Sequence, residues 1–147
     1  MVEPLVRRKK GTMMGTWGIG VFENDAASDF MYEFIKSDPV DYMRYAFKQS
    51  EADYLDYDGG IEILISAAVL DMAHIGTEYP DFDWDVYGPL VEKLKVIAVD
   101  ALVPSAIEAV DRVLRDRSEI CELWEESDSF ENWYQVISSI SSRLNDL

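Results

Sequence analysis

The sequence has one cysteine and one histidine in 147 residues. A lone cysteine excludes an internal disulfide and fits a reducing compartment, so a cytoplasmic protein is expected. A zinc site draws three or four ligands mainly from His and Cys, and this chain offers one of each. Basic residues are also scarce: 13 Lys and Arg stand against 29 Asp and Glu, a net charge of −16. Such a chain repels both nucleic acid and anionic membranes, and neither is expected as a direct partner. Five prolines and eight glycines are too few for collagen-like or low-complexity architecture. No apolar run approaches the roughly 18 residues that a membrane span needs. The longest, residues 61–75, contains Glu62, Ser66, Asp71 and His74.

What is present points to a folded chain. Hydrophobic residues make up 48% of it and recur at helical spacing, which excludes disorder, and the length fits one domain. The charge is unevenly placed. Residues 1–13 hold Arg7, Arg8, Lys9 and Lys10 against Glu3 alone, a basic extension expected to lie disordered upstream of the domain. It lacks the apolar core of a secretory signal. Residues 14–147, the expected domain, carry the other 9 Lys and Arg against 28 Asp and Glu, a net −19.

Periodicity predicts a mainly α, single-domain helical bundle of about six or seven helices behind an irregular Gly/Trp segment. Asn24 or Asp25 can cap a first helix running to about Ser37, with Phe30 and Phe34 on one face. Asp38 and Pro39 supply a cap and first helical residue for a second, carrying Met43 and Phe47. Gly59-Gly60 precede Ile61 to Ile75, apolar around most of its circumference and therefore expected at the centre; Gly76 is its expected stop. Residues 77–87 read as irregular, and a fourth helix is expected from Pro89 through Leu90 and Leu94. Pro104-Ser105 opens the next, with Ile107, Val110 and Leu114 on one side. Ser118 can cap residues 119–126, and Asp128 with Glu131 has capping-box spacing ahead of the stripe Trp133, Ile137, Ile140 and Leu144. A short strand within residues 15–22 stays open.

Few residues suggest chemistry. Gly15, Gly18 and Gly20 before a helix invite a phosphate loop, but position 23 is Glu where the dinucleotide fingerprint needs glycine, and Glu23, Asp25 and Asp29 would repel phosphate. The expectation is instead that these glycines allow tight turns while Trp17 and Phe22 enter the core. Asp25 and Asp29 suit a helix N-terminus better than a cation site. Asp71 and His74, three apart, form half of a nucleophilic triad with no nucleophile; a histidine hydrogen-bonded to Asp71 is expected. Cys121 has no base nearby and reads as core. No catalytic residue, cofactor or metal site is assigned.

Acid interleaved with aromatics is the strongest signal. Residues 51–58 hold four acids and two tyrosines with no base. Residues 78–87 repeat the theme, and residues 118–142 add six acids without Lys or Arg. The candidate partner-binding residues are Asp53, Tyr54, Asp56, Tyr57, Asp58, Glu78, Tyr79, Asp81, Asp83, Trp84 and Asp85. Carboxylates steer a basic partner, and tyrosine or tryptophan anchors it. The leading expectation is a non-enzymatic acidic protein that binds a basic protein, concretely an immunity-type inhibitor of a nuclease-like toxin. A nucleic-acid mimic aimed at a DNA-binding protein, a small enzyme or metal-binding protein centred on Asp71 and His74, and a subunit of a larger assembly are the alternatives.

The segment Met14-Gly15-Thr16-Trp17-Gly18-Ile19-Gly20-Val21-Phe22-Glu23-Asn24-Asp25 resembles the opening of a bacterial family, domain of unknown function 4259, whose members begin Met-Gly-x-Trp-Gly-x-Gly-x-Phe-x-Asn-Asp. Leu123-Trp124-Glu125-Glu126, Trp133 and Arg143-Leu144 resemble its C-terminal helices. The resemblance marks Gly15, Trp17, Gly18, Gly20, Phe22, Asn24 and Asp25 as a motif, expected to be structural, and implies no activity.

Overall fold

Four of the helices begin where a short acidic or amide side chain meets N–H groups that the helix itself leaves unpaired. In the computed structural model, which describes Thr16 and residues 18–147, Asn24 accepts from the Ala27 amide at 2.8 Å and opens α1 (Asp25–Ile35). Asp38 accepts from Val40 and Asp41 and, with Pro39 in the first turn, opens α2 (Pro39–Lys48). Asp56 accepts from Gly59 at 2.8 Å at the head of α3 (Tyr57–His74), and Asp83 from Val86 at 3.2 Å at the head of α4 (Trp84–Val96). α5 (Val103–Val113), α6 (Glu119–Glu125) and α7 (Phe130–Asn145) follow without a side-chain cap bond. The expectations for residues 1–13, Gly15 and Trp17 lie outside the described residues.

Several boundaries differ from those read in the sequence. α3 starts at Tyr57, so Gly59-Gly60 lie inside its first turn: the Asp56 cap nucleates the helix before the glycines can break it. α4 starts at Trp84, not Pro89. With Asp83 as cap, Pro89 falls in the second turn, where it forfeits one hydrogen bond and the helix continues through it. The Asp128/Glu131 capping box is not formed; Ser129 is the N-cap residue of α7, and its side chain accepts no cap bond. Ser118 stands at the N-cap of α6, but its hydroxyl is buried and unbonded among the described residues. That helix start is held instead by a bridge in which Leu55 N–H donates to Arg117 O and Glu119 N–H donates to Leu55 O, each at 2.9 Å. Among the described residues no strand forms, only this bridge and one between Thr16 and Asn24.

α3 is the axis of the bundle. Every residue from Gly59 to Met72 is buried, and the helix touches all six others. A helix with no polar face can be stable only when surrounded, and so the nearly uniform hydrophobicity of residues 61–75 translates into a central position. α5 and α7 pair closely on one side, while α1, α2 and α4 cover the others. Aromatic contacts close the ends: Trp124 stacks on Trp133 at 5.7 Å, Phe34 on Tyr42 at 4.4 Å, and Phe22 inserts as expected, edge-on to Tyr79 at 5.6 Å. Just beyond α3 and its C-cap Ile75, Gly76 takes a φ of 85°, and its N–H donates back to the Asp71 and Met72 carbonyls. No described helix is long and apolar enough to cross a membrane.

Candidate functional site

Both carboxylates buried in α3 are committed to the fold. Asp71, with no exposed surface, accepts from Thr77 Oγ1 at 3.0 Å and from the Tyr79 hydroxyl at 2.7 Å. Arg143 of α7 adds Nε at 3.0 Å and Nη2 at 2.9 Å. The expected Asp71–His74 bond is therefore not formed. Arg143 offers Asp71 a charged fork of two donors, and the His74 Nε2 atom is buried without a partner among the described residues. Burial opposes the Arg143 charge, but its bonds to Asp71 and Tyr79 outweigh that effect and raise its pKa. Burial, then the neighbouring Asp71 charge, pushes the Tyr79 hydroxyl well above its ordinary range. Glu62 is held likewise by the Tyr42 hydroxyl and Gln49 Nε2, each at 2.9 Å.

The glycine segment is filled from within. A side chain at Gly18 or Gly20 would collide with the Glu23 carboxylate, so these glycines cradle an acid of the same chain where a phosphate loop would hold a ligand. Burial first, and Asp81 second, raises the Glu23 pKa against the lowering effect of a backbone bond at Gly20. Cys121 is buried in α6, and burial pushes its thiol up to about 11, far from a reactive thiolate. Among the described residues no group of three or more His, Cys, Asp or Glu could hold a metal ion.

The first acidic segment, residues 51–58, is joined to α6. The Tyr54 hydroxyl donates to Glu122 at 2.8 Å, and this bond chiefly pushes the Tyr54 pKa up to about 12. The Tyr57 amide donates to Glu119 at 2.9 Å. Two guanidiniums hold the segment from behind. Arg112, only 7% exposed, donates to the carbonyls of Ala52, Asp53, Asp116 and Arg117, and Arg117 Nε reaches the Asp53 carbonyl at 2.8 Å. Asp53, Tyr54, Asp56, Asp58 and Glu122 are exposed, while Tyr57 is half-buried. Sequence reasoning missed Arg112 and Arg117, whose carbonyl partners at positions 52 and 53 lie about sixty residues away.

The second segment leaves the other end of α3, about 26 Å from Tyr57 by helical rise. Its parts diverge. Tyr79 turns inward to Asp71 and Phe22. Phe82 is buried, and Asp83 caps α4. Glu78, Asp81, Asp85 and Trp84 remain exposed, Trp84 by 47%, with its ring edge-on to Phe82 at 5.0 Å.

The family model described as Domain of unknown function (DUF4259) matches residues 15–136, most of the chain. The chain belongs to the DUF4259 family. The match takes in the glycine segment, all of α3, and both acidic segments with α6, so these features fall within the DUF4259 region. No curated protein and no solved structure matches the chain significantly.

Proposed function

We propose that this DUF4259 protein is a non-enzymatic acidic module that binds a basic protein, in its concrete form an immunity-type inhibitor seated in the anion-binding cleft of a nuclease-like toxin. The supporting observation is the surface formed by residues 53–58 and α6. Glu122, Glu119 and Asp56 all act on the exposed Tyr54 hydroxyl, Asp53 and Asp58 are exposed on the same segment, and the guanidiniums of Arg112 and Arg117 are turned onto backbone carbonyls. Rigid acid around an aromatic suits fast, salt-sensitive association followed by anchoring in a pocket.

The test is capture of the partner from the native host at about 0.1 M salt, followed by salt-graded elution, with the parent chain and an Asp53→Asn/Asp58→Asn variant side by side. One dominant basic protein, held by the parent and released at lower salt from the variant, is the expected result. Binding unchanged by the substitutions or by salt refutes the reading, and a broad set of DNA-binding proteins would replace it with nucleic-acid mimicry.

A further inference from the structure

The chain enters its folded domain beside the first acidic segment. Thr16, the first described residue, bridges to Asn24 at the head of α1. Burial chiefly raises the pKa of the Tyr57 hydroxyl; a hydrogen bond from the Thr16 side chain lowers it, and the charges of Asp58, Asp25 and Glu119 raise it. Thr16 and three carboxylates therefore meet around one hydroxyl at the head of α3. The Tyr54 hydroxyl, bonded to Glu122, also feels Glu119 and Asp56, so the acid continues along α6. Asp25, Asp58 and Glu122 are exposed, and neither they nor Glu119 form an ion pair among the described residues.

The missing positive charge lies a short way up the chain. Arg7, Arg8, Lys9 and Lys10 stand together among residues 1–13, outside the described residues. Lys10 is six residues before Thr16 and Arg7 nine, so even a fully extended chain carries them no farther than about 22 and about 32 Å from it. A tether of this length keeps the basic run at an effective concentration in the millimolar range over the acid around Tyr57. Glu78 and Asp85, at the other end of α3 and about 26 Å from Tyr57 by helical rise, are reached only by a nearly straight arm.

We propose that Arg7, Arg8, Lys9 and Lys10 dock within their own chain onto the surface formed by Asp25, Asp58, Glu119 and Glu122. The docking does not rest on the partner reading given above. It makes the arm a tethered competitor for any basic protein that seeks this surface, displaced when the newcomer binds more tightly.

Carbodiimide coupling of the full chain tests it, because the reagent condenses a lysine amine with a carboxylate in contact and leaves no spacer. An equal mixture of isotope-labelled and unlabelled chains is coupled at about 0.02 M salt, and the linked peptides are identified by mass. Lys9 or Lys10 should be joined to Asp25, Asp58, Glu119 or Glu122 of the same chain, with the Lys95–Glu92 pair, 3.1 Å apart, as the reference. Relative to that reference the yield should fall at least about fivefold at about 1 M salt, where screening acts beyond about 3 Å. It should fall at least about twofold in Arg7→Gln/Arg8→Gln, which keeps both lysines and the tether but removes two exposed pairs. Links spread evenly over Glu78 and Asp85 as well, links chiefly between labelled and unlabelled chains, or a yield indifferent to salt would each overturn the docking. So would the absence of any link from Lys9 or Lys10 while the reference forms. None of these outcomes touches the capture of a basic partner, so the two readings fail separately.

Discussion

Replacing Arg143 by methionine isolates the ion pair that ties α7 to the central helix. Methionine keeps the aliphatic stem's packing and removes the guanidinium, leaving Asp71 with no exposed surface and two neutral donors, Thr77 and Tyr79. Breaking a buried pair from one side costs about 3–5 kcal/mol. The Arg143 side chain is 34% exposed and both neutral bonds survive, so the lower end applies, about 3 kcal/mol. At about 2.1 cal/mol/K of unfolding entropy per residue, a chain of 147 residues should lose about 10 °C in Tm. Urea unfolding at neutral pH, followed by tryptophan fluorescence and far-UV circular dichroism with unchanged slope, measures the free energy. The companion variants are Asp71→Asn and the double substitution. Once Asp71 is neutral the Arg143 loss should matter much less, giving a coupling of at least about 2 kcal/mol. A single-variant loss below about 1 kcal/mol, or losses that add within about 0.5 kcal/mol, would refute the claim that this pair holds the bundle together.

Two further predictions concern the loops. Gly76→Ala places a side chain where nothing lies within 4 Å, so only its φ of 85° is penalised. A loss of about 1–2 kcal/mol in urea unfolding is expected, and a neutral result would remove the left-handed stop from the account of α3. For Glu23, burial and Asp81 raise the folded-state pKa above the ordinary 4.5, so the native state binds its proton more tightly than the unfolded chain. The stability this contributes is complete below the ordinary value and is lost as pH rises through the raised one. Glu23→Gln keeps a carbonyl acceptor and cannot ionise, so its stability relative to the parent should rise between about pH 4 and about pH 7. A difference that stays constant with pH would refute the sign.

The parts of the fold legible in the sequence are those set by local chemistry. Asn24 and Asp38 sit immediately before periodic segments and cap helices there, and the uniform hydrophobicity of residues 61–75 is the signature of a surrounded helix. Asp56 and Asp83 were harder to read, because each stands in an acidic run followed by Gly59-Gly60 or Pro89, residues that ordinarily interrupt a helix. Their carboxylates are caps, so part of the acid that looks like surface is structural. Long-range partners leave no periodic trace. Arg143 lies 72 residues from Asp71, and nothing in the spacing around Asp71 favours it over the histidine three residues away. For the candidate surface, composition located the acid, but the joining of residues 51–58 to α6 rests on a two-bond bridge and two guanidiniums that no local pattern announces.

The charge turned inward nearly cancels: Glu62 and Asp71 are offset by Arg112 and Arg143, so the −19 of residues 14–147 stands on the surface. Within the surface at residues 53–58 the carboxylates are not equivalent. Asp56 caps α3, Glu119 accepts the Tyr57 amide, and Glu122 accepts the Tyr54 hydroxyl. Asp53 and Asp58 are exposed, and their side chains accept no hydrogen bond among the described residues. Replacing Asp56 by alanine removes a cap and costs about 1 kcal/mol of stability whatever binds there. Neutralising Asp53 leaves the fold intact and removes only long-range attraction, which acts mainly on association rate and salt dependence, whereas Asp58 also lies in the first turn of α3, where its charge favours the helix by a few tenths of a kcal/mol. The two roles of acid in this surface, starting a helix and attracting a partner, therefore fall on different side chains and separate by stability and by salt.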